Sequence, residues 1–374
     1  MSVLCRFIRS RAHRLPIVNI ARSIGGASTE YFAVTYEEHG DPMKVLEGKT
    51  LTFETDPSSL NSNEVYLRML AAPINPADIN MIQGVYPVKL TLPLIAGFDG
   101  IGEVLSVGSA VKSFQSGDWV VPNAVSRTSI GTWRTHTVCE EENLWKIPND
   151  IPLLSAATLA VNPCTAYRML TDFVDLGKGD VVIQNGSNSA VGQAVIQIAA
   201  AMGLQTVNIV RDRPNNEIIV KWLIDMGATH VITQEFAHSP EMKMLMGTMR
   251  QPKLALNCVG GKGIADILKY MERKSTMVTY GGMSKRPLMV PTGSFIFNDV
   301  RLRGFWMSQW NKEHVNSPER REMWHYLCGL VRKGRLFPPI YRTVPLEHFK
   351  DGIKRTMEPY TTQKQILVMD KSLL

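Results

Sequence analysis

The chain has 374 residues, 44% of them hydrophobic, with 41 basic and 34 acidic side chains and a net charge of +7. That length exceeds what one core usually organises and points to two globular domains. The longest apolar stretch, around residues 190–204, is broken by Gln193 and Gln197 and is too short to span a bilayer.

The first 29 residues carry Arg6, Arg9, Arg11, Arg14 and Arg22 and no acid before Glu30. Arginine-rich, acid-free and amphipathic sequence of this kind reads as a mitochondrial transit peptide over residues 1–25, and it lacks the long apolar core of a secretory signal. Without these five arginines the net charge falls to +2. The basic balance therefore carries no case for a nucleic-acid partner.

From about residue 31 to 150 the pattern is strand-rich and punctuated by glycine, with strands predicted at 64–71, 100–108 and 117–122. From Asp180 to about Gly304 strands alternate with helical stretches: VVIQN (181–185), TVNIV (206–210), HVIT (230–233), LALNCVG (254–260) and TMVTYGG (276–282). Such alternation predicts an α/β fold with a doubly wound parallel sheet. A helix is expected over Glu319–Lys333, and QILVM (365–369) reads as a strand returning to the first domain. Cys5, Cys139, Cys164, Cys258 and Cys328 are scattered without a C-x-x-C pair, which argues against a disulfide framework and structural zinc.

The segment Val181–Arg213 is the most informative. A strand, the turn Gly186-Ser187-Asn188-Ser189, a helix over 190–203 and a second strand form a βαβ unit. Its helix N-terminus presents backbone N–H groups to a pyrophosphate. The turn is not G-x-G-x-x-G, because Ser187 and Ser189 precede Gly192 at the other two glycine positions. About 20 positions on, where NAD-binding units place an acid, stands Arg211, followed by Asp212 and Arg213. The arginines suit either the 2′-phosphate of NADP or plain solvent.

Longer segments decide between such alternatives. AAPINPADINMIQGVYP (71–87), NPCTAYRML (162–170), QNGSNSAVGQAVIQIAA (184–200), VRDRP (210–214), LNCVGGK (256–262), TYGGM (279–283) and GFWMSQW (304–310) resemble those of the mitochondrial trans-2-enoyl-thioester reductases. These are zinc-free members of the medium-chain dehydrogenase/reductase superfamily. The resemblance implies a Rossmann NADP-binding domain over 159–340 and a GroES-like catalytic domain over 30–158 plus 341–374. It implies NADPH as cofactor, a homodimer in the mitochondrial matrix, and an acyl-carrier-protein or CoA thioester as substrate. Where zinc relatives carry Gly-His-Glu, this chain has Gly97-Phe98-Asp99-Gly100, and Ala190 stands where the reductases usually have glycine.

Residue by residue, the resemblance makes Tyr86 catalytic. It places Asn162, Asn188, Ser189, Ala190, Val191, Arg211, Asp212, Arg213, Tyr280, Gly281, Gly282, Met283, Phe305, Trp306, Met307, Ser308 and Lys364 at the cofactor, with no metal ligand. Read without it, Asn162 before Pro163 is an N-cap. Two rival functions share the motifs: an NADPH:quinone reductase of the same superfamily and a non-catalytic cofactor-binding interaction protein.

Overall fold

The computed structural model describes residues 30–370 and 372, apart from residues 55, 89, 124–129 and 215. The expected targeting segment lies outside the described residues. Strands β1 (Glu30–Tyr36) and β2 (Glu47–Thr52) pair antiparallel. The long β3 (Glu64–Pro73) is the spine of a second sheet, while the short β4 (Leu94–Ile95) returns to β1. β5 (Ile101–Val107), β6 (Trp119–Pro122), β7 (His136–Glu140) and β8 (Leu144–Ile147) complete the strand-rich part.

The alternating region forms one six-stranded parallel sheet. Its strands are β9 (Val181–Asn185), β10 (Gln205–Val210), β11 (His230–Thr233), β12 (Leu254–Asn257), β13 (Thr276–Thr279) and β14 (Arg301–Gly304). Their order is β11-β10-β9-β12-β13-β14, the doubly wound order with its switch point between β9 and β12. Every residue of β9 and β12 is buried, as expected of strands covered on both faces. β14 was not expected. Three of its four residues, Arg301, Arg303 and Gly304, are exposed, so an edge strand leaves no apolar run to read.

Two further strands, β15 (Tyr341–Pro345) and β16 (Lys364–Val368), leave this sheet and join the other. β16 pairs antiparallel with the Ala71–Pro73 end of β3, so the predicted return is present. The ladders of β12 and β13 stop at Asn257 and Thr279, earlier than the sequence pattern suggested. Glycines beyond those points belong to loops over the sheet edge.

Helices α1 (Pro76–Ile82), α2 (Asn162–Thr171), α3 (Ala190–Met202), α4 (Asn216–Asp225), α5 (Met307–Glu313), α6 (Pro318–Arg332) and α7 (Phe349–Met357) cover the sheets. Helix α3 starts at Ser189, whose hydroxyl accepts from Gly192 N at 3.1 Å, and stops at Gly203 with φ 75°. The two glutamines that interrupt its apolar face are satisfied. Gln193 Oε1 accepts from Ile340 N at 3.0 Å and Gln197 Oε1 from Phe337 N at 2.8 Å. They fasten the segment that carries the chain out of the parallel sheet. Helices α2, α3 and α6 contribute Met169, Val195, Ile198, Met323 and Leu327 to the largest core. Each such fully buried side chain contributes about 1.5–3 kcal/mol.

Candidate active site

The carboxyl edge of the parallel sheet gathers most of the predicted residues. After β9 the chain turns at Gly186, where φ is 61° and a Cβ would collide with Cys258 Sγ. A Cβ at Gly192 would lie 2.5 Å from Ser187 O, so the helix start packs tightly against the turn. The serines at the other two glycine positions have uses of their own. Ser187 Oγ donates to Gln184 O at 3.1 Å and is also 3.2 Å from Ile209 O, while Ser189 caps α3. Asn188 O accepts from Gln193 Nε2 at 2.8 Å. Ala190 and Val191, in the first turn, have N–H groups without an intrahelical acceptor, the geometry that takes up a phosphate.

Arg211, Asp212 and Arg213 follow β10 directly. Asp212 Oδ2 accepts from Glu235 N at 3.1 Å. Arg213 is half-buried, and among the described residues its Nε and Nη2 have no acceptor. Burial, and then the neighbouring Arg211 charge, lower its guanidinium pKa. An anion placed there would satisfy both donors.

Three side chains tie the strand ends together. Asn185 Nδ2 donates to Asn257 Oδ1 at 2.8 Å, and Asn257 Nδ2 donates to Thr279 Oγ1 at 3.1 Å. The loop from Tyr280 to Met283 folds back over this ladder: Tyr280 N donates to Asn257 O at 3.0 Å and Met283 N to Cys258 O at 2.9 Å. A Cβ on Gly281 would approach Cys258 O to 3.2 Å, whereas one on Gly282 would meet open space. Phe305 N donates to Thr279 O at 3.0 Å, continuing the edge. Met307 is buried in the main core and Ser308 follows it on α5, but Trp306 projects, 37% exposed. Sequence reasoning missed Asn185 and Asn257, although an asparagine closing each of two fully buried strands was the available signal.

Trp306 meets the predicted tyrosine. Its Nε1 donates to Tyr86 Oη at 3.0 Å, and the rings stand edge to face with centroids 6.4 Å apart. Tyr86 follows α1 by way of Gly84, whose φ of 72° turns the chain. Burial raises the phenol pKa, so the hydroxyl is neutral at working pH.

Behind Tyr86 lies a buried cluster of charges centred on Asn75. Lys364 Nζ donates to Asn75 Oδ1 at 2.7 Å and to Ile74 O at 3.2 Å. Asn162 Nδ2 donates to the same Oδ1 at 3.1 Å, and Asn75 Nδ2 donates to Asp99 Oδ2 at 3.1 Å. Asp78 accepts from Asn75 N at 2.7 Å and Phe98 N at 3.0 Å. This corrects the reading of Asn162 as an N-cap. Val161 is the cap, and Asn162 lies in the first turn with its side chain committed to Asn75. Asn75, Asp78 and Asp99 were not anticipated, though the INPAD and FDG segments contain them.

Desolvation pushes Asp78 and Asp99 up to about 7 and Lys364 down to about 8, with the opposite charges limiting each shift. A carboxyl whose folded pKa is raised above its unfolded value favours folding at low pH, and that stability is lost as pH rises through the folded value. Lys364→Met deletes the ammonium and sends both carboxyls higher, each unit being worth about 1.4 kcal/mol. The variant's urea midpoint should therefore drop more than the wild type's between about pH 6 and about pH 8. Parallel losses at both pH values would show that ammonium and carboxyls do not interact.

Comparisons with known proteins identify the family. The family model for the alcohol dehydrogenase GroES-like domain matches residues 61–149, and that for zinc-binding dehydrogenase matches residues 190–321. The mitochondrial enoyl-[acyl-carrier-protein] reductase of Homo sapiens is 51% identical over 338 residues, covering 90% of this chain and 88% of its own. Etr1p, solved with NADP and crotonyl-CoA, superposes with a TM-score of 0.83 at 35% identity, covering 91% of this chain and all of that one. Etr1p is a mitochondrial 2-enoyl thioester reductase of Candida tropicalis. A putative NADPH:quinone reductase from Bacillus thuringiensis is 26% identical, with a TM-score of 0.79, and the match covers 92% of this chain and all of that one.

The zinc in one family description finds no counterpart in the donor set. Among the described residues no group of three or more His, Cys, Asp and Glu is placed to hold a metal ion. Asp99 in the Gly97–Gly100 turn and Asp78 on α1 instead accept from the amides of Asn75 and Phe98, and the Lys364 ammonium lies close enough to limit the burial-driven rise in pKa of both. Sequence and fold together make this chain a member of the enoyl-[acyl-carrier-protein] reductase family, within the medium-chain dehydrogenases/reductases.

Proposed function

We propose that the chain is an NADPH-dependent reductase of trans-2-enoyl thioesters, carried on acyl-carrier-protein or CoA, working in mitochondrial fatty acid synthesis. The observation that carries this reading is Tyr86, a neutral phenol held by Trp306 at the carboxyl edge of the sheet. The residues present fit NADP: first-turn N–H groups at Ala190 and Val191 left free beside the Ser189 cap, and two buried guanidinium donors on Arg213 without an acceptor among the described residues.

Asn188 to Val191 would take the pyrophosphate, and Arg211 and Arg213, with Asp212 between them, the 2′-phosphate. Tyr280, Gly281, Gly282 and Met283, with Phe305 to Ser308, would border the nicotinamide, and Asn162 and Lys364 would close its far side. NADPH supplies a hydride when bound. A 2-enoyl thioester is electrophilic at C3, and reduction there places negative charge on the thioester oxygen and leaves C2 in need of a proton. The Tyr86 hydroxyl donates to that oxygen or hands its proton to C2, and the Trp306 N–H steadies the phenol oxygen as it does so. A preorganised donor in a partly dry site stabilises developing charge more than water does.

We place the protein in the mitochondrial matrix, on the arginine-rich segment 1–25; a fluorescent fusion of that segment tests import. A homodimer is supported by β14, which has β13 on one side and no partner strand among the described residues on the other. Phe295, Ile296 and Phe297 beside it are exposed. Sedimentation of the purified protein measures the oligomeric state.

The deciding assay follows NADPH consumption with crotonyl-CoA, with a quinone and with neither. Turnover with crotonyl-CoA alone is expected. A faster rate with the quinone would favour the quinone reductase reading, and no turnover with either would favour a non-catalytic protein.

A further inference from the structure

We propose that Tyr360 is a specificity-determining residue for NADPH, holding Arg211 and Arg213 in position to receive the 2′-phosphate. The inference rests on the NADPH reading above and extends it to a part of the chain far from the dinucleotide motif. Tyr360 lies in the link between α7 and β16, almost 150 positions after the arginines.

Both guanidiniums lie against its ring, Arg211 at 5.1 Å and Arg213 at 5.8 Å from the centroid. Two cations side by side repel each other, and the shared aromatic face offsets this through its quadrupole. The backbone takes part as well: Arg213 Nη1 donates to Tyr360 O at 3.1 Å. That bond uses one edge of the fork and turns the remaining donors, Nε and Nη2, into a buried position without an acceptor among the described residues. Unmet guanidinium donors beside a second arginine are what a phosphate dianion completes.

Tyr360 itself sits in the left-handed region, with φ 61°, a conformation that a bulky side chain rarely adopts. Tyr360 is 48% exposed, and this conformation sets its ring against both arginines. Four residues on, Lys364 reaches Asn75 in the buried cluster. One short link therefore addresses both the 2′-phosphate position and the far side of the nicotinamide position.

The test is calorimetric titration of the purified protein with 2′,5′-ADP and with 5′-AMP, for wild type, Tyr360→Ala and Tyr360→Phe. Wild type should bind 2′,5′-ADP well above 5′-AMP. Tyr360→Ala should weaken 2′,5′-ADP about five- to thirtyfold, the size of two cation–π contacts, and leave 5′-AMP unchanged. Tyr360→Phe keeps the ring and should stay within about twofold of wild type for both ligands. Unaltered 2′,5′-ADP binding by Tyr360→Ala, or equal weakening of both ligands, would overturn the role of Tyr360 alone. A wild type that does not separate the two ligands would overturn the NADPH reading with it.

Discussion

Tyr86→Phe should lower kcat on crotonyl-CoA by about 10²–10³, the scale of losing a positioned acid or oxyanion donor. The substitution removes one oxygen and keeps the ring, so the edge-to-face contact with Trp306 persists. The Trp306 N–H loses its acceptor, but that side chain is 37% exposed and water can replace the bond. The net cost of such an exchange is about 1 kcal/mol or less. On the proposed mechanism Tyr86 meets the substrate and not the dinucleotide, so NADPH affinity should stay close to wild type. A wild-type rate in the variant would transfer the donor role to Asn162 or a water, and a lost NADPH affinity would make Tyr86 structural.

Replacing Arg211 and Arg213 together with alanine should raise the NADPH KM by about 100-fold and leave NADH nearly unaffected. A charge-assisted contact to phosphate contributes roughly 1.5–3 kcal/mol, about tenfold or more for each arginine. The two should not act independently, since both lie on Tyr360. Each single variant should therefore cost more in the presence of its neighbour's partner ring than after Tyr360→Ala, a coupling that a double-mutant cycle measures. Equal use of NADPH and NADH by the wild type would remove the basis for the assignment.

What could be read from the sequence follows a physical division. Strands buried on both faces, such as Val181–Asn185 and Leu254–Asn257, announce themselves as apolar runs. The turn at Gly186–Ser189 and the helix after it were legible because their signals are local. Arg301–Gly304 was not, because an exposed edge strand needs no apolar residues. The buried cluster was invisible for a different reason. Asn75, Asp99, Asn162 and Lys364 come from four separated segments, and only the fold shows that one amide joins three of them. The motif likeness named Asn162 and Lys364 without revealing their shared partner. Tyr360 carries no motif at all, and its connection to the arginines runs through tertiary structure alone.

The position of β16 has a consequence for how the molecule is made. A chain drawn into the matrix N-terminus first presents its segments in order, and domains form as units as their segments emerge. All six strands of the parallel sheet lie between Val181 and Gly304, so that sheet can close early. The sheet built on β3 cannot, because the Ala71–Pro73 end of β3 waits for Ile366–Val368. Until Lys364 arrives with that strand, Asp78 and Asp99 lack the ammonium that balances them. The first-made part of the molecule is thus the last to be finished, and it matures only once the chain extends through Val368.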